Sequence, residues 1–197
     1  MFRKTHKEFA GKLNSARKKK LTLPCSRNSA SAAIRRRISF FRNRCFRGIV
    51  AIGAPITIGG QLYNCGIVLF QGKIYGIVPK TFLPNYLEFY EKRWFSSASA
   101  LSETEISASL FGLKQEPIPV GNDLIFQAGG FPFGIEICED LWAPVAPSAF
   151  LAMNGAEMIF NLSASNELIA KREYRKNLVK QQSASLLCAY VYTSAGA

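Results

Sequence analysis

Histidine is almost absent from this chain of 197 residues: the single one is His6, inside a highly basic N-terminal stretch. A thiol–imidazole catalytic pair therefore has little material to draw on. The five cysteines, Cys25, Cys45, Cys65, Cys138 and Cys188, form no Cys-x-x-Cys pair and no Cys/His cluster. A structural or catalytic zinc site is not expected, and no metal is assigned. No apolar run reaches eighteen residues, so no membrane-spanning helix is expected and the localisation inferred is cytoplasmic. Acidic residues are missing from the first 47 positions except for Glu8, against fifteen Lys/Arg there. The remaining 150 residues are close to neutral, with ten Lys/Arg and twelve Asp/Glu.

That asymmetry divides the chain into a basic leader, 1–47, and a globular body, 48–197. The leader carries Arg17-Lys18-Lys19-Lys20 and Arg35-Arg36-Arg37, with no sustained strand or helix stripe. Such a composition reads as a disordered tail. Transit-peptide function and phosphate neutralisation on nucleic acid are the competing readings.

In the body, Ile49–Ile52 reads as a strand closed by a Gly53-Ala-Pro turn. Gln61–Phe70 and Lys73–Val78 flank Gln71-Gly72 as a hairpin, and Leu124–Ala128 and Phe131–Cys138 flank Gly129-Gly130 as a second. Leu87–Phe95 reads as a short helix or turn, and 96–117 as a polar surface excursion. Pro147–Met153 is expected to be helical and to stop at Asn154-Gly155. Ala156–Leu162 reads as a strand, Ala170–Leu187 as an amphipathic helix, and Cys188–Thr193 as another strand. Hairpins mixed with strand–helix–strand units imply an α/β fold.

The chemistry concentrates in Phe131-Pro-Phe-Gly-Ile-Glu-Ile-Cys138-Glu139-Asp140-Leu-Trp142. A buried strand here delivers one cysteine to its carboxyl end, where α/β proteins commonly place function. Two carboxylates follow directly, and buried acids call for a balancing cation. Position 144, six residues after Cys138, holds proline instead of arginine, which argues against a phosphate-cradling thiolate loop. With no histidine at hand, a nucleophilic Cys138 would need a carboxylate and a lysine as partners.

Val78-Pro-Lys80-Thr-Phe-Leu-Pro-Asn-Tyr86, Glu88-Phe-Tyr-Glu91-Lys-Arg-Trp-Phe95, Glu136-Ile-Cys138-Glu-Asp-Leu-Trp142, Asn161-Leu-Ser-Ala-Ser165-Asn166 and Ala189-Tyr-Val-Tyr-Thr-Ser194 occur in this order. Together they resemble the glutaminase domain of glutamine-dependent NAD synthetases, in the nitrilase or carbon–nitrogen hydrolase superfamily. The resemblance runs from about Gly48 to the C-terminus. It implies a partial nitrilase-type α-β-β-α sandwich, homo-oligomers, glutamine as substrate and a Glu-Lys-Cys triad. By position it implies Cys138 as the nucleophile, Lys80 as the triad lysine and Glu91 as a supporting carboxylate. Tyr86, Ser165 and Lys171 fall where the family holds its glutamine. The triad's general base should follow a first core strand in a Pro-Glu turn, and residues 1–48 show neither. Glu8 is the one acid available there. The expectation is a fragment of a glutaminase domain without the ATP-using synthetase domain and with no cofactor of its own. The alternative is a noncatalytic fragment or a basic-leader interaction protein.

Overall fold

The computed structural model describes Leu21, Thr22 and residues 48–166 and 168–195. Apart from Leu21 and Thr22, the basic leader lies outside the described residues, as does Glu8. Those two form β1 (Leu21–Thr22), paired in parallel with Phe126 and Gln127.

The first substantial element is an antiparallel meander: β2 (Ile49–Ile58), β3 (Gln61–Phe70) and β4 (Lys73–Pro79). The turn expected at Gly53-Ala-Pro does not occur. β2 continues through it, with Pro55 opposite Asn64, and reverses at Gly59-Gly60 instead. β2 is the edge of this sheet, where a proline's missing N–H leaves no inner ladder bond unmade. The β3–β4 reversal falls at Gln71-Gly72 as expected, both with positive φ (48° and 74°), as a tight twisted hairpin requires.

The excursion after β4 is less polar in its packing than in its composition. β5 (Glu105–Ile106) pairs with β6 (Ile118–Pro119), and Ile106, Ala108 and Ile118 are buried. They cover one face of the meander, where Cys65, Ile67 and Leu69 point. Val68, on the alternate side, faces the second sheet.

That sheet has the order β1–β7–β8–β9–β10, with β7 (Phe126–Ala128), β8 (Phe131–Ile137), β9 (Met158–Ser163) and β10 (Ala189–Ser194). β7 and β8 form the expected hairpin, and β8, β9 and β10 run parallel. The crossovers between them carry α1 (Pro147–Met153) and α2 (Lys171–Leu186). Val68, Val78, Leu124, Phe126, Phe133 and Ile135 fill the space between the sheets. The approach is close: a Cβ on Gly76 would lie 2.7 Å from the Phe126 ring. Leu151, Ile159 and Cys188 pack on the outer face beneath α1 and α2. The result is an α/β sandwich of two sheets with helices over one and the irregular excursion over the other.

α2 starts and stops where the sequence suggests, but none of its residues is buried. Its expected amphipathic face is thus only partly covered. No helix among the described residues is long and apolar enough to cross a membrane.

Candidate active site

Two strand ends build the site. β4 stops at Pro79 and hands the chain to Lys80, whose N–H donates to the Asn64 carbonyl (2.8 Å) and whose carbonyl accepts from Ala98 (2.9 Å). The Lys80 side chain is fully buried, and its ammonium donates to Glu91 Oε2 at 2.7 Å. Glu91 opens a single 3-10 turn, Glu91–Arg93, and retains 23% side-chain exposure. Burying an ammonium is costly unless it is paired, and one carboxylate oxygen serves that need.

β8 stops at Ile137, and Cys138 starts a 3-10 turn running to Trp142. Its φ is 45°, in the left-handed region that a side chain with a Cβ rarely adopts. Asn161, fully buried on the neighbouring β9, accepts the Cys138 N–H at 3.2 Å and approaches its carbonyl with Nδ2 at 3.4 Å. That Nδ2 also donates to the Tyr190 hydroxyl (3.2 Å), which donates in turn to Glu136 Oε1. The second Glu136 oxygen accepts the Ser148 N–H at 2.9 Å. Asn161 therefore braces the strained residue against a buried polar network.

Among the described residues, neither acid after Cys138 is bonded directly to a cation, although the expected balancing cation, Lys80, acts on Asp140 through its charge. Asp140 is buried, and its oxygens accept three backbone N–H groups: Thr81 (3.1 Å) and Phe82 (2.8 Å) on Oδ1, and Ile137 (3.0 Å) on Oδ2. Burial still pushes its carboxyl up to about 7; the Phe82 and Ile137 bonds pull down, the Glu136 charge pushes up and the Lys80 charge pulls down. Glu139 accepts the Tyr86 hydroxyl at 3.0 and 3.1 Å.

Tyr86 touches the Cys138–Trp142 turn through Glu139, Lys171 through Trp142, and Ser165 lies against Tyr192. Tyr86 is pushed up to about 12 by burial first, then by its bond to Glu139 and by the charges of Glu139, Cys138 and Glu88. Tyr192 is also raised, mainly by burial and partly by the Cys138 charge. It donates to Ser163 Oγ (2.6 Å) and shares a hydrogen bond with Ser165. Lys171, at the start of α2, lies 5.9 Å from the centre of the Phe89 ring and 5.7 Å from that of Trp142, and bonds to Asn166 Oδ1. Trp142 stacks on Tyr174. A cleft of about 730 Å³ opens beside this group, lined by Thr81, Pro84, Asn85, Tyr86, Glu139 and Trp142 among others. Neither Lys80 nor Cys138 lines it, so the cleft flanks the paired strand ends.

Sequence reasoning missed Asn161 and Asp140 as individual residues. Both lie within motifs noted above, but apart from the local Ile137 bond to Asp140 their partners are 23 to 59 residues away. No local pattern announces such bonds.

The carbon–nitrogen hydrolase family model matches residues 42–195. A glutamine-dependent NAD(+) synthetase from Mycobacterium tuberculosis (strain ATCC 25618 / H37Rv) is 37% identical over 151 residues, covering 75% of this chain and 21% of that protein. One from Homo sapiens is 34% identical over 135 residues, covering 66% and 19%. Among solved structures, a glutamine-dependent NAD(+) synthetase from Cytophaga hutchinsonii superposes with a TM-score of 0.62 at 29% identity, over 76% of this chain and 23% of that one. The chain thus spans about a fifth of the length of the curated relatives it matches. On the family match over most of its length, the chain belongs to the carbon–nitrogen hydrolases.

Proposed function

We propose that this chain carries the acyl-accepting machinery of a glutamine amidohydrolase, with Cys138 as nucleophile. The Cys138 thiolate attacks the side-chain carboxamide carbon of glutamine. The carbon–nitrogen bond breaks, ammonia leaves with the proton taken from the thiol, and a γ-glutamyl thioester remains. Water then cleaves the thioester to give glutamate and the free thiol. Lys80 offers a fixed positive charge to the thiolate and the developing oxyanion, lowering the cost of both. Glu91 holds that ammonium in place. Tyr86, Ser165 and Lys171 surround the substrate, and the ammonia serves NAD formation, as the relatives' name implies.

The observation that carries this reading is the ion pair between the buried Lys80 and the partly exposed Glu91, at the end of the strand whose continuation is bonded to the Cys138 turn through Asp140. A second reading, a noncatalytic binding fragment, draws support from the carboxylates around Cys138. Glu91, Glu136, Glu139 and Asp140 are each engaged, by Lys80, by Tyr190 with Ser148, by Tyr86 and by backbone N–H groups respectively. All four are thereby held by other groups, and the Pro-Glu turn expected to supply the general base is not found in residues 1–48; losing a general base commonly costs about 10²–10⁴-fold in rate.

The expected behaviour is therefore labelling without sustained turnover. Diazo-oxo-norleucine, the diazoketone analogue of glutamine, should alkylate Cys138 faster than a diazoketone lacking the amino-acid end. Ammonia release from glutamine should stay near background, and Cys138→Ala should abolish labelling. Equal labelling by the two diazoketones would sink the glutamine reading. Robust ammonia release, lost in both Cys138→Ala and Glu8→Ala, would instead identify Glu8 as the base.

A further inference from the structure

Asp140 is 2% exposed, yet its carboxylate touches no cation at bonding distance among the described residues: every bond goes to backbone N–H. The placement of those groups is the informative part. Thr81 and Phe82 are the two residues directly after Lys80, and Ile137 is the residue directly before Cys138. One carboxylate thus ties the chain leaving β4 to the chain leaving β8, across the boundary between the two sheets. Lys80 cannot drift along its strand, because its own N–H and carbonyl are taken by Asn64 and Ala98. Cys138 cannot relax its φ of 45° without dragging Ile137 and Asn161 with it.

We propose that Asp140 is a positioning residue that sets the separation between the Lys80 ammonium and the Cys138 thiol, and through it the thiolate character of Cys138. The inference rests on the reading above, in which those two groups work as a unit. The chemistry selects a carboxylate: three converging N–H donors need acceptors on both oxygens. An amide in the same place offers one acceptor oxygen, and its NH₂ then confronts an N–H. Asp140→Asn therefore breaks the tie on one side while keeping the volume. A lysine displaced from a thiol loses its hold on the thiolate, because charge–charge influence on ionisation acts within a few ångströms.

The test reads the thiol itself and needs no glutamine turnover. Iodoacetamide alkylation of Cys138 is followed by peptide mass spectrometry from pH 5 to 10 in the unmodified chain, Asp140→Asn, Lys80→Met and Leu151→Ala. Leu151, on α1, packs against β8 and serves as a general destabilisation control. Asp140→Asn and Lys80→Met are expected to move the alkylation midpoint upward by about one pH unit, which is about a tenfold slower reaction at pH 7. Leu151→Ala should leave the midpoint in place. A shift with Lys80→Met but none with folded Asp140→Asn overturns the positioning role alone. No shift with either removes the Lys80–Cys138 unit and this inference with it. Should Asp140→Asn fail to fold, hydrogen exchange on the unmodified chain decides. The Thr81, Phe82 and Ile137 amides should be slow as a set; fast exchange at these three beside slow Ile77 and Ile135 overturns the proposal.

Discussion

The ends of β4 and β8 lie close together and are built on opposite terms. Lys80, at the first, is fully buried, with both backbone groups bonded and its ammonium held by one carboxylate. Cys138, at the second, is half-buried, strained at φ 45° and braced from the side by Asn161. The lysine occupies a closed, satisfied environment, and the thiol an open, strained one, each supplied from a different sheet.

Removing the partner of the closed end should have the largest effect. Glu91→Ala leaves a buried ammonium without its carboxylate and is expected to cost about 3–5 kcal/mol of stability in urea unfolding. Lys80→Met should cost less, because the carboxylate left behind keeps partial access to water. Equal costs would mean that burial does not distinguish the two partners.

Between the two ends, Asp140 gives the site a pH dependence of defined sign. Its carboxyl is raised from the ordinary carboxylate range to about 7, chiefly by burial. The folded chain therefore binds that proton more tightly than the unfolded one. This contribution to stability is fully present below about pH 4 and is lost as pH rises through about 7. The upper bound is about 4 kcal/mol for a difference of about three pH units. Urea midpoints at pH 5 and pH 8 should differ in the unmodified chain and converge in Asp140→Asn.

At the open end, Asn161→Ala removes the acceptor for the Cys138 N–H and one donor to Tyr190, an expected loss of about 1–3 kcal/mol. It should also spread the Cys138 alkylation rate more than it lowers α1 protection in hydrogen exchange. The smallest change should be a gain. Cys138→Gly relieves the left-handed φ and is expected to stabilise the chain by up to about 1 kcal/mol while abolishing alkylation at that position. A loss of stability would show that the Cys138 side chain supports the fold.

Much of this architecture was legible locally. Gln71-Gly72 and Gly129-Gly130 marked their hairpins because tight reversals demand positive φ, and both places have it. Asn154-Gly155 stopped α1 at the expected residue. Pro55 misled, because its cost depends on whether the strand is an edge, and that is a property of the whole sheet. The 96–117 segment looked like a solvated loop, yet Ile106 and Ala108 are buried against the meander; a few apolar residues spread among serines give no periodic signal. At the site, Lys80 and Cys138 stood out through ordered motifs, whereas Asp140 and Asn161 act largely on distant backbone. The left-handed φ of Cys138 also has no signature in residue type, since glycine and asparagine are the usual markers of that region.

The pairing pattern of the two sheets also carries a consequence in time. β2, β3 and β4 join through two-residue turns, so their ladder closes on short loops as soon as the strands exist. β8, β9 and β10 must each wait for a helical crossover before a parallel neighbour arrives, and parallel pairing across such spans closes more slowly. As the chain leaves the ribosome, the strand ending at Lys80 can therefore be in place before Cys138 has been made. The Cys138 turn is then assembled against a lysine already in place.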